Sequence, residues 1–129
     1  MAVLLNHHIV HARDPQVSAS FLADVLGLDP PRPFGPFMAV ETANGVGLDY
    51  MRDDGEIGAN HYAFLVSEDE FDEIFRRIEA RGLRYYADPF AQHPDEINHH
   101  DGGRGVYWAD PDGHWLEIIT RPYGSGDPP

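Results

Sequence analysis

The chain repeats itself. Asn6-His7 opens one apolar stretch, "NHHIVHA", and Asn60-His61 opens another, "NHYAFLV". Each is followed by a helical pattern closed by a glycine: Gly27 follows His7 by 20 residues, and Gly82 follows His61 by 21. Each half then ends in a hairpin whose last strand carries a carboxylate. Gly45 precedes Asp49 by four residues, as Gly113 precedes Glu117. Four matches in one order indicate an internal duplication of a βαβββ unit. This constrains the fold more than any single motif, because it fixes an α+β chain of two equivalent modules. Module one spans about residues 4–52 and module two about 59–121, within one domain of residues 1–121. The closing "PYGSGDPP", residues 122–129, is expected to be a flexible tail.

Local signals support this division. Residues 4–12 read as a strand. Residues 13–27 read as a helix, with Asp14 as its cap, Pro15 in its first turn and Gly27 beyond its end. Val17, Phe21, Leu22, Val25 and Leu26 form its apolar stripe. Residues 37–51 read as a hairpin turning at Asn44-Gly45. In the second half, residues 60–67 read as a strand and 68–82 as a helix with Phe71, Ile74, Phe75 and Ile78 on one face. A short strand is expected over 82–89. A hairpin over 105–120 turns at Asp110-Pro111-Asp112-Gly113.

Strand alternation sorts the polar side chains. His7, Ile9 and His11 share a face, and His8 and Val10 take the other. His61, Ala63 and Leu65 share a face of their strand. Trp115, Glu117 and Ile119 share one face of theirs, with His114, Leu116 and Ile118 opposite. A carboxylate such as Glu117 inside an apolar strand is costly unless it is solvated, paired with Arg or bound to a metal. Solvation is the simple expectation for one such residue, but a His on the first strand of both halves points towards a metal. Two imidazoles and a carboxylate leave positions open on a divalent ion, which suits non-haem Fe(II) and also Zn, Mn or Ni. Asp49 is then a fourth ligand, a hydrogen-bond acceptor behind a ligand, or a pocket wall. His8 and His11 read as ordinary strand histidines, and His114, after the turn glycine, as exposed. His93, His99 and His100 lie on a long polar loop, residues 88–104.

Composition excludes other chemistries. The 129 residues contain no Cys, which removes disulfides, thiolate metal sites and Cys nucleophiles. A net charge of −13 repels phosphate backbones, so no nucleic-acid partner is expected. No apolar run reaches the ~20 residues of a membrane span. "MAVLLNHHIV" lacks the basic start of a signal peptide. A cytoplasmic protein with no membrane partner is expected. Neither a phosphate-binding glycine loop nor a Gly-x-Ser-x-Gly nucleophile turn is present.

These residues together resemble the vicinal oxygen chelate superfamily, which joins glyoxalases, bleomycin resistance proteins and extradiol dioxygenases. "LNHHIVHARDPQVSASFLADVLGL" resembles its first module, "NHYAFLV" the opening of its second, and "GVYWADPDGHWLEI" its closing hairpin. The resemblance covers about residues 4–121. It implies curved sheets forming a cleft that holds a divalent metal on His7, His61 and Glu117. Fe(II) is favoured, with Zn, Mn or Ni as alternatives. It also implies a homodimer and a small-molecule substrate, with Asp49, Phe64 and Trp115 lining the substrate site.

Within the superfamily, Asn98, His100, Val106-Tyr107, Asp110-Pro111, Gly113 and Glu117 resemble the extradiol-dioxygenase signature. That implies catechol chelation at Fe(II), O₂ binding and ring cleavage, with Tyr107 and His100 as the catalytic side chains. The larger extradiol enzymes use a further acid–base His upstream of the second-module ligand, and no His lies between His11 and His61. They also usually carry four modules, where this chain has two. A glyoxalase-like lyase or isomerase is the alternative enzyme. Fosfomycin-type thiol transfer fits an acidic chain without Lys poorly. A metal-free bleomycin-resistance-type protein sequestering a cationic molecule is the non-enzymatic alternative. The sequence leaves open the substrate, the metal, and which chain supplies each ligand.

Overall fold

A computed structural model describes residues 2–126 of the chain. It resolves into two compact units, residues 1–58 and 59–129.

The first unit runs β1 (His7–Ala12), α1 (Pro15–Leu26), β2 (Arg32–Phe34), β3 (Phe37–Glu41) and β4 (Gly47–Arg52). Its strands form one sheet in the order β1-β4-β3-β2. β1 pairs parallel with β4, and β3 is antiparallel to both β4 and β2. The helix ends where the sequence places its signals. The Asp14 side chain accepts from the backbone of Gln16 and Val17, Pro15 occupies the first turn, and Gly27 stops the helix at φ 72°. Leu22, Ala23 and Val25 bury their side chains, as do Val10, Val40, Leu48 and Tyr50 of the strands. The alternation of β4, with Leu48 and Tyr50 buried, leaves Gly47, Asp49 and Met51 on the opposite face. β2 was not anticipated. It is a three-residue edge strand containing Pro33, which an edge position tolerates because the missing N–H faces no partner.

The second unit runs β5 (His61–Leu65), α2 (Glu68–Ala80), β6 (Gly105–Ala109) and β7 (Trp115–Ile119), with a 3-10 turn at His100–Gly102. The sheet order is β5-β7-β6, with β5 parallel and β6 antiparallel to β7. Ser67 and Glu70 form a reciprocal capping box that starts α2. Phe71, Ile74 and Ile78 of the helix and Val106, Trp108, Leu116 and Ile118 of the strands are buried.

The strand expected over 82–89 is reduced to isolated bridges, Tyr86 with Tyr107 and Tyr86 with Pro94. Its continuation is taken up by a loop centred on Asp88, whose carboxylate accepts from the backbone N–H groups of Phe90, Gln92 and His93. Ala91 at φ 56° lies in the turn that folds the chain back alongside Tyr85–Ala87, where Ala87 N–H donates to the His93 carbonyl and Asp95 N–H to the Tyr85 carbonyl.

His114 is also placed differently from expectation. It is fully buried, not exposed, because its Nδ1 accepts from the backbone N–H of Asn60 at 3.0 Å. The first part of the expected tail, residues 122–126, is hydrogen-bonded. Gly124 N–H and Gly126 N–H donate to the two carboxylate oxygens of Asp101, at 3.2 and 3.1 Å. Residues 127–129 of that tail lie outside the described residues.

Candidate metal and substrate site

In the second unit, β5 and β7 align His61 with Trp115 and Ala63 with Glu117. Cross-strand partners share a face, so His61, Trp115 and Glu117 stand together, joined from β6 by Tyr107, the partner of Glu117. His61 Nε2 lies 3.0 Å from Glu117 Oε1. The carboxylate is 1% exposed, whereas the His61 side chain is 46% exposed. A buried carboxylate needs compensation. Here it comes from His61 on one oxygen and from the Tyr123 hydroxyl, which donates to the other. Tyr107 and Tyr123 share a further hydrogen bond of 2.9 Å between their hydroxyls.

These neighbours hold both phenols protonated. Burial, Tyr123 and Glu117 push the Tyr107 hydroxyl far above its ordinary range. Burial first, and then Glu117, push Tyr123 up to about 12. An aromatic wall flanks the pair. The Tyr107 and Trp115 rings stack at 6.2 Å, Tyr86 lies 5.4 Å from Trp115, and His61 lies 5.9 Å from Tyr107. His100, at the exposed start of the 3-10 turn, meets the edge of Tyr123 at 6.3 Å. Asn98 holds this loop: its side chain accepts from His100 N–H and donates to the Ala87 carbonyl.

In the first unit, His7 and Asp49 share a face of the sheet. His7 aligns with Gly47 and Ile9 with Asp49, while Ala39 aligns with Asp49 from the other side. The small Gly47 and Ala39 leave room above the sheet. His7 and Asp49 line a cavity of about 1190 Å³ with Ile9, Arg32 and Phe37. Asn6 Oδ1 accepts from His7 Nδ1 at 2.8 Å, which leaves Nε2 of His7 with the free lone pair.

The expected residues therefore fall into sets. His61, Glu117, Tyr107 and Trp115 are brought together on one sheet face, with His100 at its margin. His7 and Asp49 share the cavity of the first unit. Among the described residues, no group of three or more His, Cys, Asp or Glu could itself hold a metal. Phe64 is not on the site face. It aligns with Ile118, on the side of β7 opposite Glu117, together with Tyr62 and Leu116. An odd offset from His61 sends a strand side chain the other way. Tyr123 was missed, because it follows the last strand in a Gly- and Pro-rich stretch without periodicity. Its contact depends on a turn fixed by Asp101, far away in sequence.

The imidazole and carboxylate of His61 and Glu117 fit a divalent metal of borderline hardness: one nitrogen and one oxygen donor, on rigid strands, with a hydrogen bond behind the carboxylate. Among the described residues, no helix is long and apolar enough to cross a membrane.

The model of the Glyoxalase/Bleomycin resistance protein/Dioxygenase superfamily matches residues 4–118. The solved structure of Oxidase ChaP-H1 is 63% identical, covers 95% of this chain and 99% of that chain, and superposes with a TM-score of 0.94. Oxidase ChaP-H2 is 61% identical, covers 98% and 100% of the two chains, and gives a TM-score of 0.96. Metallothiol transferase FosB of Lysinibacillus sphaericus is 27% identical over 122 residues, 90% of this chain and 81% of that protein. Glutathione transferase FosA of Serratia marcescens is 36% identical over 58 residues, 45% of this chain but only 34% of that protein.

Proposed function

The chain belongs to the Glyoxalase/Bleomycin resistance protein/Dioxygenase superfamily, and from that premise we propose that it is a divalent-metal-dependent oxidoreductase acting with O₂ on a small oxygenated or aromatic substrate. The observation that carries this reading is the buried carboxylate of Glu117, set in an apolar strand with its oxygen 3.0 Å from His61. A merely structural strand position would be filled at lower cost by an apolar residue. The identity of 61–63% to two proteins named oxidases, over nearly full length, favours oxidation over the lyase and sequestering alternatives. The similarity to metallothiol transferase FosB is weaker, at 27% over 122 residues, and an acidic chain without Lys fits fosfomycin-type thiol transfer poorly.

In this reading His7, His61 and Glu117 hold the metal, with Fe(II) favoured. The metal supplies Lewis acidity to vicinal substrate oxygens. Tyr107, on the same face as Glu117, hydrogen-bonds a substrate oxygen by accepting from its hydroxyl, its own O–H being given to Tyr123. His100, at the exposed margin, binds or protonates the substrate. Trp115 offers a ring face for an aromatic substrate, and Asp49 lines the wall beside His7. The protein acts as a cytoplasmic homodimer. The test is oxygen uptake by Fe(II)-loaded protein with catechol and 1,2-dihydroxynaphthalene. Uptake lost in His61→Ala supports the reading. No uptake with either compound, together with lactoylglutathione formation from methylglyoxal and glutathione, would replace it with the lyase alternative.

A further inference from the structure

We propose that Tyr123, carried on the turn after β7, is a positioning residue that fixes the carboxylate of Glu117 for metal binding. The inference rests on the reading of Glu117 as a metal ligand.

Three observations carry it. The first is the contact itself. The Tyr123 hydroxyl donates to Glu117 Oε2, the oxygen that His61 does not use. At 1% exposure Glu117 has little access to water, so without Tyr123 that oxygen would lose the hydroxyl that now donates to it. The carboxylate would then rotate to relieve the cost. A donor on one oxygen leaves the other aimed at the His61 side, which is the arrangement a ligand shared with an imidazole requires.

The second is that Tyr123 joins the site residues expected to touch substrate. Tyr107 hydrogen-bonds its hydroxyl, and the His100 ring meets its edge. The order Tyr107, Tyr123, Glu117, His61 is a continuous chain of polar contacts. A substrate oxygen that engages Tyr107 is therefore coupled to the metal ligand through Tyr123.

The third is that the turn is anchored, although its sequence is of a kind that usually frays. Asp101 accepts from Gly124 N–H and Gly126 N–H. A Cβ at Gly126 would meet the Asp101 backbone at 2.5 Å, so only glycine permits this approach. Arg121 closes the turn by donating to the Ser125 carbonyl. Because Asp101 lies between His100 and the start of β6, the same loop positions His100 and holds Tyr123.

The test measures metal affinity without turnover. Zn²⁺ binding by competition with a chromogenic chelator, and the visible spectrum of the Co²⁺ form, are compared for wild type, Tyr123→Phe and Asp101→Asn. Tyr123→Phe removes only a hydroxyl from a residue that is 53% exposed, so folding is preserved. Asp101→Asn leaves the tyrosine intact and keeps a residue that tolerates the φ of 56° found there. Tyr123→Phe is expected to weaken Zn²⁺ binding by about 10- to 100-fold and to shift the Co²⁺ bands. Asp101→Asn should move both readouts in the same direction by less. Wild-type affinity and an unchanged Co²⁺ spectrum in Tyr123→Phe would overturn the positioning role alone. Failure of the wild type to take up either ion would overturn the metal reading, and the inference with it.

Discussion

The backbone N–H of Asn60 donates to Nδ1 of His114 at 3.0 Å, tying the start of β5 to the start of β7 from the face opposite Glu117. The contact places the proton of His114 on Nε2. His114 is fully buried, and the Tyr62 ring packs edge-on against it at 6.1 Å. Its own N–H donates to Asp110, so the turn, the histidine and the strand entry are one hydrogen-bonded block. His61 follows Asn60 directly, and its direction towards Glu117 is set from behind by this block.

His114→Ala should therefore destabilise the protein by about 2–4 kcal/mol, from the lost volume and the orphaned Asn60 N–H. His93→Ala, at a side chain that is 62% exposed, should change stability by less than about 0.5 kcal/mol. Urea unfolding of both variants checks this. Equal, small changes would show the tie to be dispensable.

The two aromatic residues expected to meet substrate should separate. Phe64 lies on the face of β5 away from Glu117, and Trp115 on the same face as Glu117. Phe64→Ala should lower stability by about 1–3 kcal/mol and leave catechol affinity near wild type. Trp115→Ala should weaken catechol binding, read by calorimetry on the metal-loaded protein. A binding loss in Phe64→Ala at unchanged stability would contradict the face assignment.

Much of this was legible from alternation alone. His7 and His61 open equivalent strands, and the period of two places them and Glu117 on defined faces. The same rule, applied to Phe64 by counting from His61, sends it to the opposite side. Asp14 and Gly27 bounded α1 by local chemistry, which is why that helix needed no tertiary information. β2 was hidden because Pro-rich edge strands carry no alternation. The strand over 82–89 shortens to bridges because the chain folds back just after it, in a turn that Asp88 holds by accepting from Phe90, Gln92 and His93 N–H. His114 and Tyr123 depend on partners distant in sequence, Asn60 and Asp101, and nothing local announces either contact.

Close packing gives a sharper stability test. A Cβ at Gly103 would lie 2.5 Å from Thr120 Oγ1 and 3.0 Å from Arg121 Cγ. Thr120 Oγ1 also accepts from Arg104 N–H at 2.8 Å, so it has little freedom to move aside. Gly103→Ala should cost about 1–3 kcal/mol. Gly58→Ala, with nothing within 4 Å, should be neutral or slightly stabilising through the unfolded chain. Thermal unfolding of the pair distinguishes them, and a stable Gly103→Ala would show that this junction yields.

Acid should weaken the second unit. Hydrogen bonds from Thr120 and then Arg104 hold Glu68 below the ordinary carboxylate range, and the Ser67 backbone and hydroxyl do the same for Glu70. Burial pushes Asp88 up, but the N–H groups of Gln92, His93 and Phe90 outweigh it, and its carboxyl is lowered. A lowered folded value means stability that is present above the unfolded value and lost as pH falls through the folded one. The urea midpoint should therefore decline as pH drops below the ordinary Glu value of 4.5. Asp110 acts with the opposite sign, because burial raises it and its ionisation with rising pH costs stability. Glu70→Gln should flatten part of the acid limb, and an unchanged limb would remove the capping box from the explanation.

Glu117 and the two strand-opening histidines are the proposed metal ligands. The most direct measurement is metal content of untagged protein after anaerobic Fe(II) loading, for wild type, Glu117→Ala, His7→Ala and His8→Ala. About one metal per chain is expected in wild type and in His8→Ala, and its loss in Glu117→Ala and His7→Ala. Absence of metal from the wild type, or equal retention in all four proteins, would contradict it.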